Sequence, residues 1–409
     1  MPTYSGPQTS KLFYSYIEPF LRTHPNVTIE LRVTTWANSF PALHHALKHG
    51  DAPDLLQTGT TWIGSLHQLG FLTPPPTDLE ERPTLTSWID ETVNCDGVRF
   101  CVPWLTECSC LQTRSDVLDK MGIQPEELKS WDSFLNACHH IGRLTQEGQE
   151  VSPSRPLPIA ITCRPDHNML HNVSPWLWAG GWQIPDLDAP PINLLSSTSA
   201  RPALEYLNRL LQTNPFDKNL NTIEPYLIED FFMNEGRFAF YIGYCWNIIR
   251  RVTGGSTVAQ DRWPIQSIPF PSGPAGSYTR GGGSVLAVSN QSQNTELAWE
   301  LAQYLISDPF IEKWVQSSGS LPAHEGDFWQ KYADNPEIAF LKDQIRSART
   351  YPNHPLWRSI ETILFKGLGQ LLWRFVQGKP LDEEAQKLLL STDKKINAIL
   401  ELAWDREGC

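Results

Sequence analysis

The stretch APDLLQTGTTW, residues 52–62, decides the fold. Asp54 to Gln57 reads as a short apolar strand that breaks at Gly59, and Thr60 and Thr61 mark the start of a helix behind it. Upstream, residues 8–23 carry apolar side chains at helical spacing, with Ser10 near the start. In VTIELRV, Val27, Ile29, Leu31 and Val33 alternate with polar neighbours, the pattern of a strand with one buried face. A second helix over SFPALHHALKHG stops at Gly50. Helix, strand, helix, strand, helix predicts a parallel sheet with crossover helices. The chain opens on a helix, however, where a doubly wound lobe opens on a strand.

Composition bounds the function. At 409 residues, two lobes are the default expectation. No apolar run reaches the roughly 18 residues of a membrane span. A net charge of −12, with Arg250-Arg251 as the longest basic cluster, argues against a nucleic-acid partner. The chain is rich in rings, with 16 Trp, 17 Phe and 11 Tyr, and several Trp stand beside Gly or Pro, where rings line pockets. Eight cysteines, four of them between 95 and 110, match no zinc spacing, which leaves buried thiols or disulfides. His44-His45 and His139-His140 are adjacent pairs whose side chains point about 100° apart on a helix, so they read as surface residues and no metal is expected. Neither a GxGxxG nor a GKS/T pattern is present, and no cofactor is expected.

Further along, VRFCVPWLTECSCLQTR (98–114) reads as an extended segment interrupted at Pro103-Trp104 that crosses between lobes. Ser130 N-caps a helix over SWDSFLNACHHIGRL, PLPIAIT (156–162) is a strand, and helices are expected over about 170–179 and 198–212. FAFYIGYCW (238–246) reads as a buried strand that Gly243 turns, so that Tyr244 and Trp246 emerge and Cys245 points away. A strand over 283–288, an amphipathic helix halting before Pro309 and a helical C-terminal hundred residues complete the order.

In this order the chain resembles the family 1 extracellular solute-binding proteins, the maltose-binding-protein-like sugar-binding subunits of ABC importers. The carriers are HPNVTIEL, APDLLQTGTTW with GFLTPP, DGVRFCVPW, TRSDVLDKMGI, WLWAGGWQ, MNEGRFAFYIGYCW, IPFPSGPAGSYTRGGGSVLAV, AWELAQYLISDPFIEKWVQSSGSLPA and RTYPNHPLW. Each is a loose pattern, and their colinear order over about 350 residues carries the specificity. The resemblance implies an α/β, two-lobe, type II periplasmic-binding-protein-like fold. Its first lobe would take 1–108 and 268–317, and its second 109–267 and 318–409. Crossings would fall near Trp104 to Leu111, Ile265 to Phe270 and Ser317 to Leu321, with a ligand cleft between lobes that closes about a hinge. It implies permease subunits as partners, a monomer, and an extracytoplasmic location. The family begins with a strand behind an export signal, and neither is visible before TYSGPQTSK. A late start, a degenerate N-terminus or a cytosolic offshoot would each account for that, and a chain complete as written would be cytoplasmic.

A sugar offers hydroxyl edges and weakly apolar C–H faces, so its site needs flat rings and planar polar groups. The resemblance puts Trp246 where a ring stacks on ligand, with Tyr244 beside it, and Glu107 where an acidic acceptor meets hydroxyls; a solvated Glu107 is the bland reading. Trp36, Thr60 and Trp62 stand at a strand's C-terminal edge, although Thr60 or Thr61 also suits a helix cap. Trp104 suits the cleft or hinge packing. Trp178 precedes Gly180-Gly181, which allow close backbone approach. Arg280 and Gly283 belong to the Gly-rich start of a first-lobe strand, and Tyr351 to a tail that reaches back to ligand. Two other classes remain. A sensory module would share the fold, and a glycoside hydrolase would need paired carboxylates at about 5–9.5 Å. Glu107 with Asp166 or Glu229 forms no motif, and the chain is read as a binding protein and not an enzyme.

Overall fold

The structure is a computed structural model that describes residues 7–407, apart from 81, 96, 145–150, 215–224 and 255–261. Its strands are β1 (Leu55–Gly59), β2 (Leu72–Thr73), β3 (Asn94–Cys95), β4 (Val98–Arg99), β5 (Val102–Arg114), β6 (Leu157–Ala160), β7 (Phe238–Tyr244), β8 (Ile265–Ile268), β9 (Gly281–Ser289) and β10 (Leu321–Pro322). The chain divides into two compact units. The first takes Met1–Cys108, Cys245–Thr257 and Gly281–Arg358, the second Ser109–Tyr244, Val258–Arg280 and Ser359–Cys409. Residues 245–254 and 318–358 fall in the first unit.

In the first unit the antiparallel pair of β1 and β9 runs from Leu55 opposite Val288 to Gly59 opposite Ser284. The N-terminal half of β5 lies on the other side of β9, from Val102 opposite Leu286 to Cys108 opposite Gly281. Pro103 has no N–H to give a ladder, and the register shifts between Pro103 and Leu105, which is how a sheet accommodates it. Leu56, Trp62, Ile63, Leu66, Val285 and Ala287 form the core beneath this sheet.

Two expectations fail here. β1 is antiparallel to its neighbour, and the single parallel pair among the described strands is β6 with β7. The parallel neighbour that the alternation promised, residues 27–33, is not a strand. Its burial does alternate, with Val27, Ile29, Leu31 and Val33 half-buried and Thr28, Glu30 and Arg32 exposed. A ladder also needs a backbone partner, and here one side chain stands in for it. The Tyr14 hydroxyl donates to the Ile29 carbonyl (3.1 Å) and accepts from the Leu31 amide (3.1 Å). Periodicity reports which face is buried and is silent on what lies beside the strand.

In the second unit the C-terminal half of β5 pairs with β7, from Ser109 opposite Tyr244 to Thr113 opposite Phe240, and with β8, from Leu111 opposite Ile268 to Arg114 opposite Ile265. Leu157, Ala160, Ile228, Phe232, Phe238 and Tyr241 form one core cluster there. Ser130 caps the helix Trp131–Gly142 as expected, accepting from the Ser133 amide at 3.2 Å. The helix expected from about 170 starts earlier, at His167, because Asp166 caps it by accepting from the Met169 amide at 3.0 Å. The C-terminal region is helical, in Trp357–Val376 and Glu383–Glu407. No helix among the described residues is long and apolar enough to cross a membrane.

Candidate functional site

β7 delivers Tyr244 to its last position, half-buried. Gly243 does not turn the chain; it is a strand residue, and the turn is at Cys245, ahead of the helix Trp246–Thr253. Glycine is required at 243 for room, since a Cβ there would lie 2.3 Å from the Tyr241 ring. The Tyr244 hydroxyl meets His171 Nδ1 at 2.9 Å and donates to Asn168 Oδ1 at 3.0 Å. The two rings stand edge to face, 6.4 Å apart and at 90°. The Arg280 guanidinium lies 6.0 Å from the Tyr244 ring centroid, and Arg280 is itself buried. Phenol, imidazole, amide and guanidinium thus gather around one strand end in the second unit. That set can donate and accept hydrogen bonds within a few ångströms, as a polyhydroxylated ligand demands.

Asn168 and His171 were not singled out from the sequence. The signal was available in DHNMLHN: with Asp166 as the cap, residues 168 and 171 fall three apart on the first turns and share a face. Trp178 lies seven residues beyond His171, on the same face, and is buried. Gly180, just past it, packs against Ala203, where a Cβ would meet another Cβ at 2.6 Å. A separate concavity of about 770 Å³ in this unit, bordered by Ser130, Trp131, Glu205, Asn208 and Arg209, contains none of the expected residues.

The first unit brings together Trp36 and Trp62, edge to face with centroids 5.7 Å apart, and Phe40 joins Trp62 at 5.3 Å. The Cβ position of Gly59 lies at ordinary contact distance from both indoles, 3.4 Å from Trp62 and 3.7 Å from Trp36. Trp36 is half-buried and Trp62 is core. Thr60 is buried inside a short 3-10 turn for which Gly59 occupies the cap, so neither Thr60 nor Thr61 takes the capping position. Glu107 is the one residue of β5 that is not fully buried.

Several expected residues serve as supports. Trp104 is fully buried, donates from Nε1 to the Leu305 carbonyl at 3.0 Å and stacks on Trp314 at 5.7 Å. Tyr351 is buried and stacks on Trp357 at 5.2 Å. The residues after it strap the helix that follows β1: Asn353 Oδ1 accepts from the Gly64 amide at 2.6 Å, and the Ser65 hydroxyl donates to the Pro355 carbonyl at 2.5 Å. The glycines behind Arg280 answer close packing. A Cβ at Gly283 would lie 2.1 Å from the Leu105 carbonyl oxygen, and one at Gly281 would lie 2.7 Å from the Trp88 ring. Trp246 is half-buried at the start of its helix, with Gly319 packed on its backbone so tightly that a Cβ would come within 2.6 Å of the Trp246 carbonyl oxygen.

Of the carboxylates considered for hydrolysis, Asp166 is engaged in capping its helix. Glu107 belongs to the first unit, and Asp166 and Glu229 to the second. Among the described residues no group of three or more His, Cys, Asp or Glu is arranged to hold a metal ion. His139, His140 and His45 are exposed, and His44 is half-buried.

Residues 15–339 match the family model described as bacterial extracellular solute-binding protein. A binding protein of Brucella abortus is 20% identical over 370 residues, covering 87% of this chain and 83% of its own length. Among solved structures, a solute-binding protein of an ABC transporter from Thermotoga lettingae, bound with alpha-D-tagatose, superimposes with a TM-score of 0.78 at 20% identity, covering 96% of each chain. The Listeria monocytogenes ABC substrate-binding protein in complex with cycloalternan gives 0.76 at 18% identity, with 96% of each chain covered. The Thermus thermophilus maltotriose-binding protein with maltotriose gives 0.72 at 16% identity, covering 95% of this chain and 96% of that one. At these identities the likeness is one of fold, the two-lobe fold of periplasmic sugar-binding proteins.

Proposed function

The chain belongs to the bacterial extracellular solute-binding protein family, and we propose that its solute is a carbohydrate, which it delivers to the permease subunits of an ABC importer. The observation that carries this reading is the hydrogen-bonding group around Tyr244, with its hydroxyl between His171 and Asn168 and Arg280 beside its ring. A phenol and an amide match hydroxyl edges, and a ring face matches C–H faces. The half-buried rings of Trp36 and Trp246 and the carboxylate of Glu107 are the corresponding candidates in the first unit. Trp62 backs Trp36 edge to face, while Trp104, Trp178 and Tyr351 are buried. The neighbours of this fold that carry sugars range from a monosaccharide to oligosaccharides, and they support the class of ligand and not its identity.

On this reading the protein is a monomer that works outside the cytoplasm, needs no cofactor and turns nothing over. The test is tryptophan emission on addition of mono- and oligosaccharides, with the same mixtures assayed for hydrolysis. A saturable shift with at least one sugar and no released product is expected. Flat emission across sugars, with a response to amino acids instead, would remove the carbohydrate reading.

A further inference from the structure

We infer that Cys108 and Cys245 are joined by a disulfide in the mature protein. Ser109 faces Tyr244 at the end of the antiparallel β5–β7 ladder, and Cys108 and Cys245, the latter in the turn after β7, are the next residue on each side; the structure holds both as free thiols. The ladder pair next to them has Cα atoms about 4.5–5.5 Å apart and a disulfide spans roughly 4.4–6.8 Å, so the two cysteines start within reach of a bridge. The side chains do meet, since the Cys245 thiol is hydrogen-bonded with Cys108. Cys110 shares their face of β5, but the position opposite it is Gly243, which has no side chain to offer. Along one strand, Cys108 and Cys110 are separated by about 6.5–7 Å, at the far limit for bridging. Cys245 is therefore the partner that geometry selects.

Compartment and burial bear on when the bond forms. The family is extracellular, where disulfides form and persist. Both residues are fully buried. Contact with Cys108 and burial push the Cys245 thiol well above its ordinary range, which makes it a poor nucleophile once the chain has closed. The bond must form during folding, while the thiols still meet solvent. The oxidant is a disulfide, either oxidised glutathione or the active-site disulfide of a thiol oxidoreductase. One thiolate attacks its S–S bond and expels a thiol, leaving a mixed disulfide. The second thiolate attacks that bond and expels the other thiol. Two protons and two electrons leave the protein, one S–S bond forms, and the oxidant ends as two thiols. The bond would pin the start of the helix that carries Trp246 to β5 beside Glu107.

The full chain, refolded in a glutathione redox buffer, is denatured, alkylated without reduction, digested and mapped by mass spectrometry. The expected result is a linked Cys108–Cys245 peptide, lighter than its two parts by two hydrogens, with the singly alkylated forms at trace level. The link should persist in Cys110→Ser, and Cys108 should become alkylated in Cys245→Ser. Alkylation is done in denaturant, so the readout does not need the variants to fold. Recovery of Cys108 and Cys245 as alkylated thiols, or of either bonded to a different cysteine, overturns the inference. Neither outcome touches the carbohydrate reading, because the map involves no ligand.

Discussion

At the scale of single residues, Tyr244 is the side chain on which the proposed site turns. Its hydroxyl bonds both His171 and Asn168. Tyr244→Phe keeps the ring and removes that oxygen. We expect sugar affinity to fall by roughly tenfold, and stability by about 1 kcal/mol, since two neighbours lose a hydrogen-bond partner. Calorimetric titration beside a urea melt separates the two effects. Tyr244 was legible in the sequence as a candidate because it ends an apolar strand, and Arg280 because it opens a glycine run. His171 and Asn168 were not, because their relevance depends on β7 arriving beside their helix, a long-range contact that no local pattern encodes. Trp104 and Tyr351 show the converse. A Trp beside a Pro and a Tyr before a Pro look like rings at loop ends, yet each is fully enclosed against another ring, Trp314 and Trp357 respectively.

At the scale of elements, helices and their ends were the most readable, because caps act locally. Gly50 stops its helix in the left-handed conformation at φ 71°, and Ser130 caps where its sequence says it should. Strand pairing was the least readable. Val27 to Val33 has the right alternation but is held by Tyr14 in place of a ladder, and β1 finds its neighbour in β9, more than two hundred residues on. Tyr14→Phe removes both of the bonds its hydroxyl makes to residues 29 and 31. Hydrogen exchange at the Leu31 amide should then accelerate at least tenfold, with the helix Pro7–Thr23 still formed by circular dichroism. Unchanged protection at Leu31 would mean that the segment is held by something other than this hydroxyl.

At the scale of the whole molecule, His324 in the first unit contributes a pH-dependent part of the stability. Burial, with the positive charge of Arg82 and Arg99 added, holds its imidazole down to about 4, against carbonyls of Pro83 and Pro103 that favour the charged ring. The two ring nitrogens approach those carbonyls at 3.1 and 2.7 Å. A folded pKa below the unfolded value of 6.5 means that the unfolded chain takes up the proton first as pH falls. The contribution of His324 is complete above pH 6.5 and is lost progressively towards pH 4, by up to about 3 kcal/mol. Urea unfolding at pH 7 and pH 5 should show this loss, and the difference should be smaller in His324→Gln.

The central claim is that the group around Tyr244 belongs to a carbohydrate site, and calorimetric titration of the intact protein with tagatose, maltotriose and further mono- and oligosaccharides tests it most directly. The account predicts that at least one sugar binds saturably, one per chain, and binds more weakly to Tyr244→Phe. A sugar that binds equally well to Tyr244→Phe, or no sugar binding at all, would contradict it.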